Sequence, residues 1–291
     1  MEEIFKKARA KINLNLLVLN KREDNYHNIK SVFQKVNLYD EIYIRKTQNE
    51  DIEIKSNIEE LNNEENIIVK AYRKLKQNYP QITGVNIYLK KNIPMQAGLG
   101  GGSTDCATFL LAMNKLFNLK LSEEEIKKIG RSLGADVVPC IYKNPVLAEG
   151  IGDEITKLNC GFKYYILIIK PNLACNTKEM YGNIDSQTEL KQPDNSDKII
   201  QALEEKDIKL LADNLYNRFE SALGEKQDIL ILKGILEKSG AKKALMTGSG
   251  SCVYGIFENK QIAKKAYQEL KEKYKIYICT SYCTNKEEIF D

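Results

Sequence analysis

Residues 94–104 read Pro94-Met95-Gln96-Ala97-Gly98-Leu99-Gly100-Gly101-Gly102-Ser103-Thr104. Before them, Val85, Ile87 and Leu89 alternate with polar residues, which predicts a strand ending near Lys90. A helix is predicted to open around Thr104. Four glycines in five positions let the backbone adopt positive φ and come close to a ligand. Amides turned inward, joined to the positive end of a helix dipole, form an anion site suited to phosphate. No Lys follows the glycines as a Walker A loop requires, and the spacing is not that of a Rossmann fingerprint. The alternative is a flexible linker, but linkers rarely join a regular strand to a capped helix.

Outward from the loop the chain mixes strands and helices. Over 11–19, Ile12, Leu14, Leu16 and Val18 occupy one face of a predicted strand, and Lys11, Asn13 and Asn15 the other. Residues 40–46 also alternate. A helix is predicted from Asn66 to Tyr79, stopped by Pro80. A second carries Ala107, Leu110, Leu111, Met113 and Phe117. A third opens at Ser122, where Ser122 and Glu125 fit a capping box, and ends at Gly134. Tyr164–Lys170 reads as a strand and 183–197 as a loop. Helices follow near 197–223 and 226–239, a strand near 252–257, a helix near 260–274 and a strand near 276–282. This order is α+β rather than strictly alternating. Asn159, Cys160 and Gly161 interrupt the pattern, which puts a boundary near 155–162 and divides the chain into domains 1–158 and 159–291.

Composition narrows the function classes. A length of 291 residues suits about two domains. The 44 basic and 40 acidic residues leave a net charge of +4, and no basic cluster is interleaved with aromatics, so a nucleic-acid partner is not expected. No apolar run is long enough to span a bilayer, and Met1-Glu2-Glu3 has no signal-peptide core, so no membrane partner and a cytoplasmic location are expected. The seven cysteines are odd in number and form no Cys-x-x-Cys pair, which argues for buried small side chains rather than disulfides or zinc. His27 is the single histidine, which excludes a His-based metal centre.

Two ionisable residues stand out. Asp136 lies in a turn after the third helix, which Gly134 is expected to make permissive. Its carboxylate could accept a hydroxyl proton, or it could be an ordinary turn former. Lys11 lies on the polar face of its strand, where the pattern alone favours a solvated side chain over a charge-stabilising group.

The loop string resembles the phosphate-binding motif of the GHMP kinase superfamily. Ala10-Lys11-Ile12-Asn13-Leu14 and Thr247-Gly248-Ser249-Gly250-Ser251-Cys252-Val253 are similar to two further segments of it. Tyr26-His27, Leu38-Tyr39-Asp40, Gly134-Ala135-Asp136-Val137 and Ala148-Glu149-Gly150-Ile151-Gly152-Asp153 resemble the branch that acts on diphosphocytidyl-methylerythritol. The resemblance spans nearly the whole chain. It departs at Arg9, where Pro is common, at Gln96, where a small residue is common, and at Val138, which displaces Pro139 by one position.

The resemblance implies a two-domain GHMP kinase fold with the active site in the cleft between domains. It implies ATP with Mg²⁺ on residues 94–104, approached by Asn66 and Lys91, with no protein metal ligand assigned beyond a possible touch from Ser103. Asp136 would be the base and Lys11 its partner. Asn13 would orient a small-molecule substrate, a cytidine diphosphate-linked polyol. Tyr26 and Tyr181 would clamp the cytosine and His27 would read its edge. Rival expectations are a homoserine- or mevalonate-type GHMP kinase, or a catalytically silent GHMP-fold ATP-binding regulator. The oligomeric state is left open.

Overall fold

The computed structural model describes residues 2–158, 161–187, 192–224 and 227–284. Asn159 and Cys160 at the expected boundary, residues 188–191 of the expected loop, and residue 226 lie outside them. Among the described residues the strands form two sheets. The first contains β1 (Glu3–Lys21), β2 (His27–Lys46), β3 (Ile52–Ser56), β4 (Val85–Lys90), β5 (Val146–Glu149) and β6 (Glu154–Lys157). The second contains β7 (Tyr165–Lys170), and, after β8 (Tyr216–Asn217), β9 (Lys243–Met246), β10 (Val253–Phe257) and β11 (Lys275–Thr280). Its order is β11-β7-β10-β9. The short β8 leaves its own half and pairs in parallel with β1 at Asn15 and Leu16.

The helices are α1 (Ile67–Asn78), α2 (Gly101–Leu116), α3 (Glu123–Leu133), α4 (Val137–Cys140), α5 (Thr177–Asp185), α6 (Ser196–Glu205), α7 (Ile208–Asp213), α8 (Asp228–Lys238) and α9 (Lys260–Leu270). Ile68, Tyr72 and Leu75 of α1, Phe109, Leu110 and Met113 of α2, and Ile126 of α3 cover one face of the first sheet against Ile42, Ile44, Ile87 and Leu89. Leu232 and Leu236 of α8 and Ala263 and Ala266 of α9 cover the second sheet at Leu167, Ile169, Val253 and Phe257. Its other face, with Ile166, Ile168, Tyr254 and Ile256, packs on Ile12, Leu14 and Val32 of the first sheet. This third cluster binds the two halves together.

That packing explains a feature of β1. Every residue from Ala10 to Val18 is buried, polar and apolar alike, because both faces of the strand are covered. Lys11, Asn13 and Asn15 are 3%, 1% and 0% exposed, so the polar face is not a solvated one.

Several sequence expectations change. β1 and β2 run far beyond 11–19 and 40–46, because antiparallel pairing along their whole length sustains residues that do not alternate. The expected helix 197–223 is broken into α6, α7, β8 and a 3₁₀ turn over Arg218–Ala222. The break falls where Lys206 takes φ 58° and Asp207 caps α7, accepting from the Lys209 and Leu210 amides. The expected loop 183–197 begins inside α5, which Asn176 caps. Gly134 has φ 168°, extended backbone open to any residue, so its turn is not a glycine requirement; it rests on the Val137 amide donating to the Gly134 carbonyl. Pro139 falls in the first turn of α4, where a missing N–H is not needed. Of the described cysteines, Cys106, Cys140, Cys175, Cys252 and Cys279 are buried thiols and Cys283 is half-buried.

Candidate active site

The glycine loop runs from β4 into α2. Gly98 and Gly100 take φ +73° and +66°, and Gly100 caps α2 without a side chain. The N-terminus of α2, at Gly101, Gly102 and Ser103, therefore receives no side-chain cap, which leaves first-turn amides free to take an anion. A Cβ on Gly102 would meet nothing within 4 Å. The loop, with Asn66, Lys91 and Asp105, lines a cavity of about 420 Å³. Gln96 is exposed in the left-handed region, at φ 50°. Thr104 is turned the other way: it is 1% exposed, and its hydroxyl donates to the Arg9 carbonyl and accepts from Lys35 Nζ.

The second glycine segment, 247–251, crosses the first. A Cβ on Gly98 would fall 2.0 Å from the Thr247 carbonyl oxygen, and one on Gly248 would fall 3.0 Å from the Gly98 oxygen. The Thr247 hydroxyl donates to the Gly98 carbonyl at 3.2 Å and the Cys252 amide to Ala97 at 3.2 Å. Asn217 of β8 holds the segment from below, donating to the Met246 and Gly248 carbonyls.

Lys11 joins these parts. Its backbone amide donates to Leu99 in the loop, its Nζ donates to Asn13 Oδ1 at 2.9 Å, and it lies 4.9 Å from the Phe33 ring centroid. The same Nζ is 3.3 Å from Asp136 Oδ2. Asp136 stands at the N-cap position of α4 without a side-chain cap bond, and 39% of its side chain is exposed. Asn13 Oδ1 also accepts from the Gly248 amide, while Nδ2 donates to Ser31 Oγ. Both ends of the Asn13 carboxamide are thus engaged inside the protein, where they hold Lys11 and the second glycine segment.

Asn66 caps α1, accepting from the Ile68 amide and donating to the Leu61 carbonyl. Lys91 sits directly beneath the loop, where its Nζ pairs with Asp40 Oδ2 and, at 2.6 Å, with Asp105 Oδ2. Asp40 Oδ1 receives the Asn92 and Ile93 amides and fixes the approach to the loop. Two carboxylates share one ammonium here. Burial, opposed by the Lys91 charge and reinforced by Asp40, holds the Asp105 carboxyl well above its usual range. Burial alone would lower Lys91, but Asp105 and Asp40 outweigh it and keep the ammonium raised.

His27 and Tyr181 come together from opposite halves. Their rings stack at 4.8 Å with 13° between planes, and Phe219 meets Tyr181 edge-on at 4.9 Å. His27 Nε2 is 2.7 Å from Asp185 Oδ1, and Lys21 donates to Asp185 Oδ2 at 2.7 Å. The Lys21 hydrogen bond, with that of His27, holds the Asp185 carboxyl below its usual range. An ionised carboxylate only accepts, so Nε2 carries the proton. Burial, and then the Asp136 carboxylate, push the Tyr181 hydroxyl up to about 12, so it stays a neutral phenol in electrostatic reach of Asp136. Tyr26 is 59% exposed, and its ring meets no other described ring. Tyr181 thus carries His27 on one face, while Tyr26, next to His27 in sequence, stands exposed.

Sequence reasoning did not single out Asp105, Asp185, Asn217 or Thr247 as individual contributors, nor Asp40 beyond its motif. Asp105 alone had a positional signal, one residue past the loop.

Known proteins resemble the chain over nearly its whole length. Residues 66–144 match the GHMP kinases N terminal domain and 199–276 the GHMP kinases C terminal domain. The chain is 39% identical over 287 residues to a 4-diphosphocytidyl-2-C-methyl-D-erythritol kinase of Clostridioides difficile, covering 97% of this chain and 96% of that one. A protein of the same name from Caldicellulosiruptor saccharolyticus is 41% identical, covering 96% and 97%. A crystal structure of 4-(cytidine 5'-diphospho)-2C-methyl-D-erythritol kinase superposes with TM-score 0.84 at 27% identity, covering 97% of this chain and all of that one. A homoserine kinase from Cytophaga hutchinsonii shares the fold, at TM-score 0.76 and 20% identity. With identity near 40% over almost its whole length, the chain belongs to the 4-diphosphocytidyl-2-C-methyl-D-erythritol kinase family of the GHMP kinases.

Proposed function

We propose that the chain transfers the γ-phosphoryl group of ATP to the 2-hydroxyl of 4-diphosphocytidyl-2-C-methyl-D-erythritol, a step of isoprenoid precursor synthesis by the methylerythritol phosphate pathway. The chain is a kinase of that specificity by its relatives, and GHMP kinases use ATP as the phosphate donor. The observation that carries the chemistry is the Lys11–Asp136 pair beside the bare amides of α2. The reading places the enzyme in the cytoplasm, where ATP is abundant.

The residues divide the work as follows. The loop 94–103 holds the phosphates by its amides, with Lys91 raising the positive potential beneath it. Asn66 borders the same cavity on the nucleoside side. Asp136 accepts the proton of the 2-hydroxyl as the oxygen attacks phosphorus. Lys11 favours the ionised form of Asp136 and offsets charge on the transferring group. Asn13 sets the position of the Lys11 ammonium. Mg²⁺ would supply charge neutralisation on the phosphates; the oxygen of Ser103, at the mouth of the loop, is a donor of the kind that ion prefers. Domains 1–158 and 159–291 would each bring one glycine segment to the cleft.

For the cytosine, Tyr26 offers an exposed face for stacking and Tyr181 backs the imidazole. Because Asp185 fixes the proton on Nε2, Nδ1 of a neutral His27 is an acceptor for the N4 amino group. An ATP-coupled assay with diphosphocytidyl-methylerythritol, homoserine and mevalonate tests the assignment. Turnover of the first alone is expected; turnover of only the other two would refute it.

A further inference from the structure

A second cavity, of about 310 Å³, borders the first turn of α2 through Thr104, yet shares no lining residue with the glycine-loop cavity. Its charged lining is basic throughout: Lys7 and Arg9 of β1, Lys35 of β2, with Lys6 and Lys143 in the wall and no carboxylate among the described residues that line it. Two of these cations are held in a way that calls for a counter-charge. Lys35 is 7% exposed, and its Nζ donates to the Thr104 hydroxyl at 2.8 Å and the Arg9 carbonyl at 3.1 Å, both neutral acceptors. Its cross-strand partner is another cation, Lys11. The Arg9 guanidinium lies 3.8 Å from the Tyr282 ring centroid, and its buried Nε has no protein partner.

Among the described residues, neither the buried Lys35 ammonium nor the Arg9 guanidinium has a carboxylate partner, and the Lys35 contacts are all to neutral groups. Burial, opposed by the hydrogen-bonded Cys140 thiol and reinforced by Arg9 and Lys11, holds the Lys35 ammonium below its usual value. Cys140, the nearby thiol, is pushed up by burial and so stays neutral.

We propose that this cavity is a second anion site that takes a small phosphate-bearing ligand. The phosphate lies between Lys35 Nζ and the Arg9 guanidinium, whose Nε–H and neighbouring N–H form a fork matched to two phosphate oxygens. The short carbon body rests on Leu111, Ile141 and Tyr142. Free phosphate and a phosphate monoester share this chemistry, and the apolar wall favours the ester.

Isothermal titration separates this site from the glycine loop when the loop is first saturated with a non-hydrolysable ATP analogue and Mg²⁺. Glycerol 3-phosphate is expected to bind the saturated protein at one site, more tightly than inorganic phosphate does. Arg9→Gln, at a half-buried position, and Lys35→Met are each expected to weaken it about ten-fold, the loss of one charge-assisted contact, with the analogue's affinity unchanged. Inorganic phosphate binding equally well, and equally sensitive to both substitutions, would support the anion site with free phosphate as its ligand. Absence of binding by either probe, or binding that both substitutions leave intact, would overturn the proposal.

Discussion

The Lys11 ammonium lies 3.3 Å from the Asp136 carboxylate, and the two differ sharply in exposure: 4% of the Lys11 side chain is accessible against 39% of Asp136. The cation is fixed from behind by Asn13 and Phe33, while the carboxylate faces the open side. A charge held in this way needs no reorganisation when a phosphoryl group passes it. Lys11→Met keeps the length and removes the charge. It should lower kcat by about 10²–10³-fold, with the melting temperature little changed, as steady-state kinetics and thermal denaturation would show. A variant with near wild-type kcat would remove Lys11 from the chemistry.

Gly100 and Gly102 make opposite predictions. A Cβ on Gly100 would stand 3.0 Å from both Cγ and Cε of Lys11, at a residue with φ +66°. Gly100→Ala should therefore cut kcat by displacing the ammonium and also cost about 1 kcal/mol of stability. A Cβ on Gly102 meets only open space, so Gly102→Ala should leave the fold intact and raise the KM for ATP alone. Gly101 is a poorer probe, because its Cβ would press on Ile93 and on Lys91 Nζ at 3.3 Å. Equal effects of the Gly100 and Gly102 substitutions on kcat would contradict this geometry.

Asp105 gives a pH signature. Its carboxyl is raised in the folded protein, so between the ordinary aspartate value of 3.8 and that raised value the folded state holds a proton the unfolded chain has lost. Over that window this group makes stability fall as pH rises, and above it the effect is constant. Asp105→Asn should remove this slope and change stability at pH 7 by less than about 1 kcal/mol. Lys91→Met, which strands buried carboxylates, should cost about 3–5 kcal/mol. Urea titrations of the three proteins from pH 4 to 8 would decide it; an unchanged slope in Asp105→Asn would place the proton elsewhere.

In the proposed reading, Asp185 acts on the substrate through His27, which it holds at 2.7 Å. Asp185→Asn no longer fixes the imidazole proton on Nε2 and should raise the KM for the cytidyl substrate about ten-fold, with kcat and the KM for ATP little affected. Unchanged discrimination between cytidine and uridine substrates in Asp185→Asn and in His27→Ala would show that the base is read by other groups.

Much of this was legible in the sequence. The glycine string, the capping box at Ser122 and Glu125, and the cap at Asn66 are local signals, and each appears where the local chemistry put it. What the pattern could not convey was tertiary. β1 is covered on both faces, so its polar residues are buried rather than solvated. β8 joins a sheet from the other half of the chain. Lys91 reads as a cation near a nucleoside, yet it meets two carboxylates, one 51 and the other 14 residues away in sequence. Nor could the pattern show that His27 of β2 and Tyr181 of α5, from opposite halves of the chain, stack on each other.

The direct test of the account is Asp136→Asn, measured for single-turnover phosphoryl transfer and for ATP affinity in the same preparation. Asparagine keeps the shape of the side chain and removes its capacity to take a proton. Transfer to diphosphocytidyl-methylerythritol should slow by about 10²–10⁴-fold while ATP binds with its wild-type affinity. Transfer at the wild-type rate with ATP bound would contradict the assignment of Asp136 as the base, and with it the reading of the Lys11–Asp136 pair.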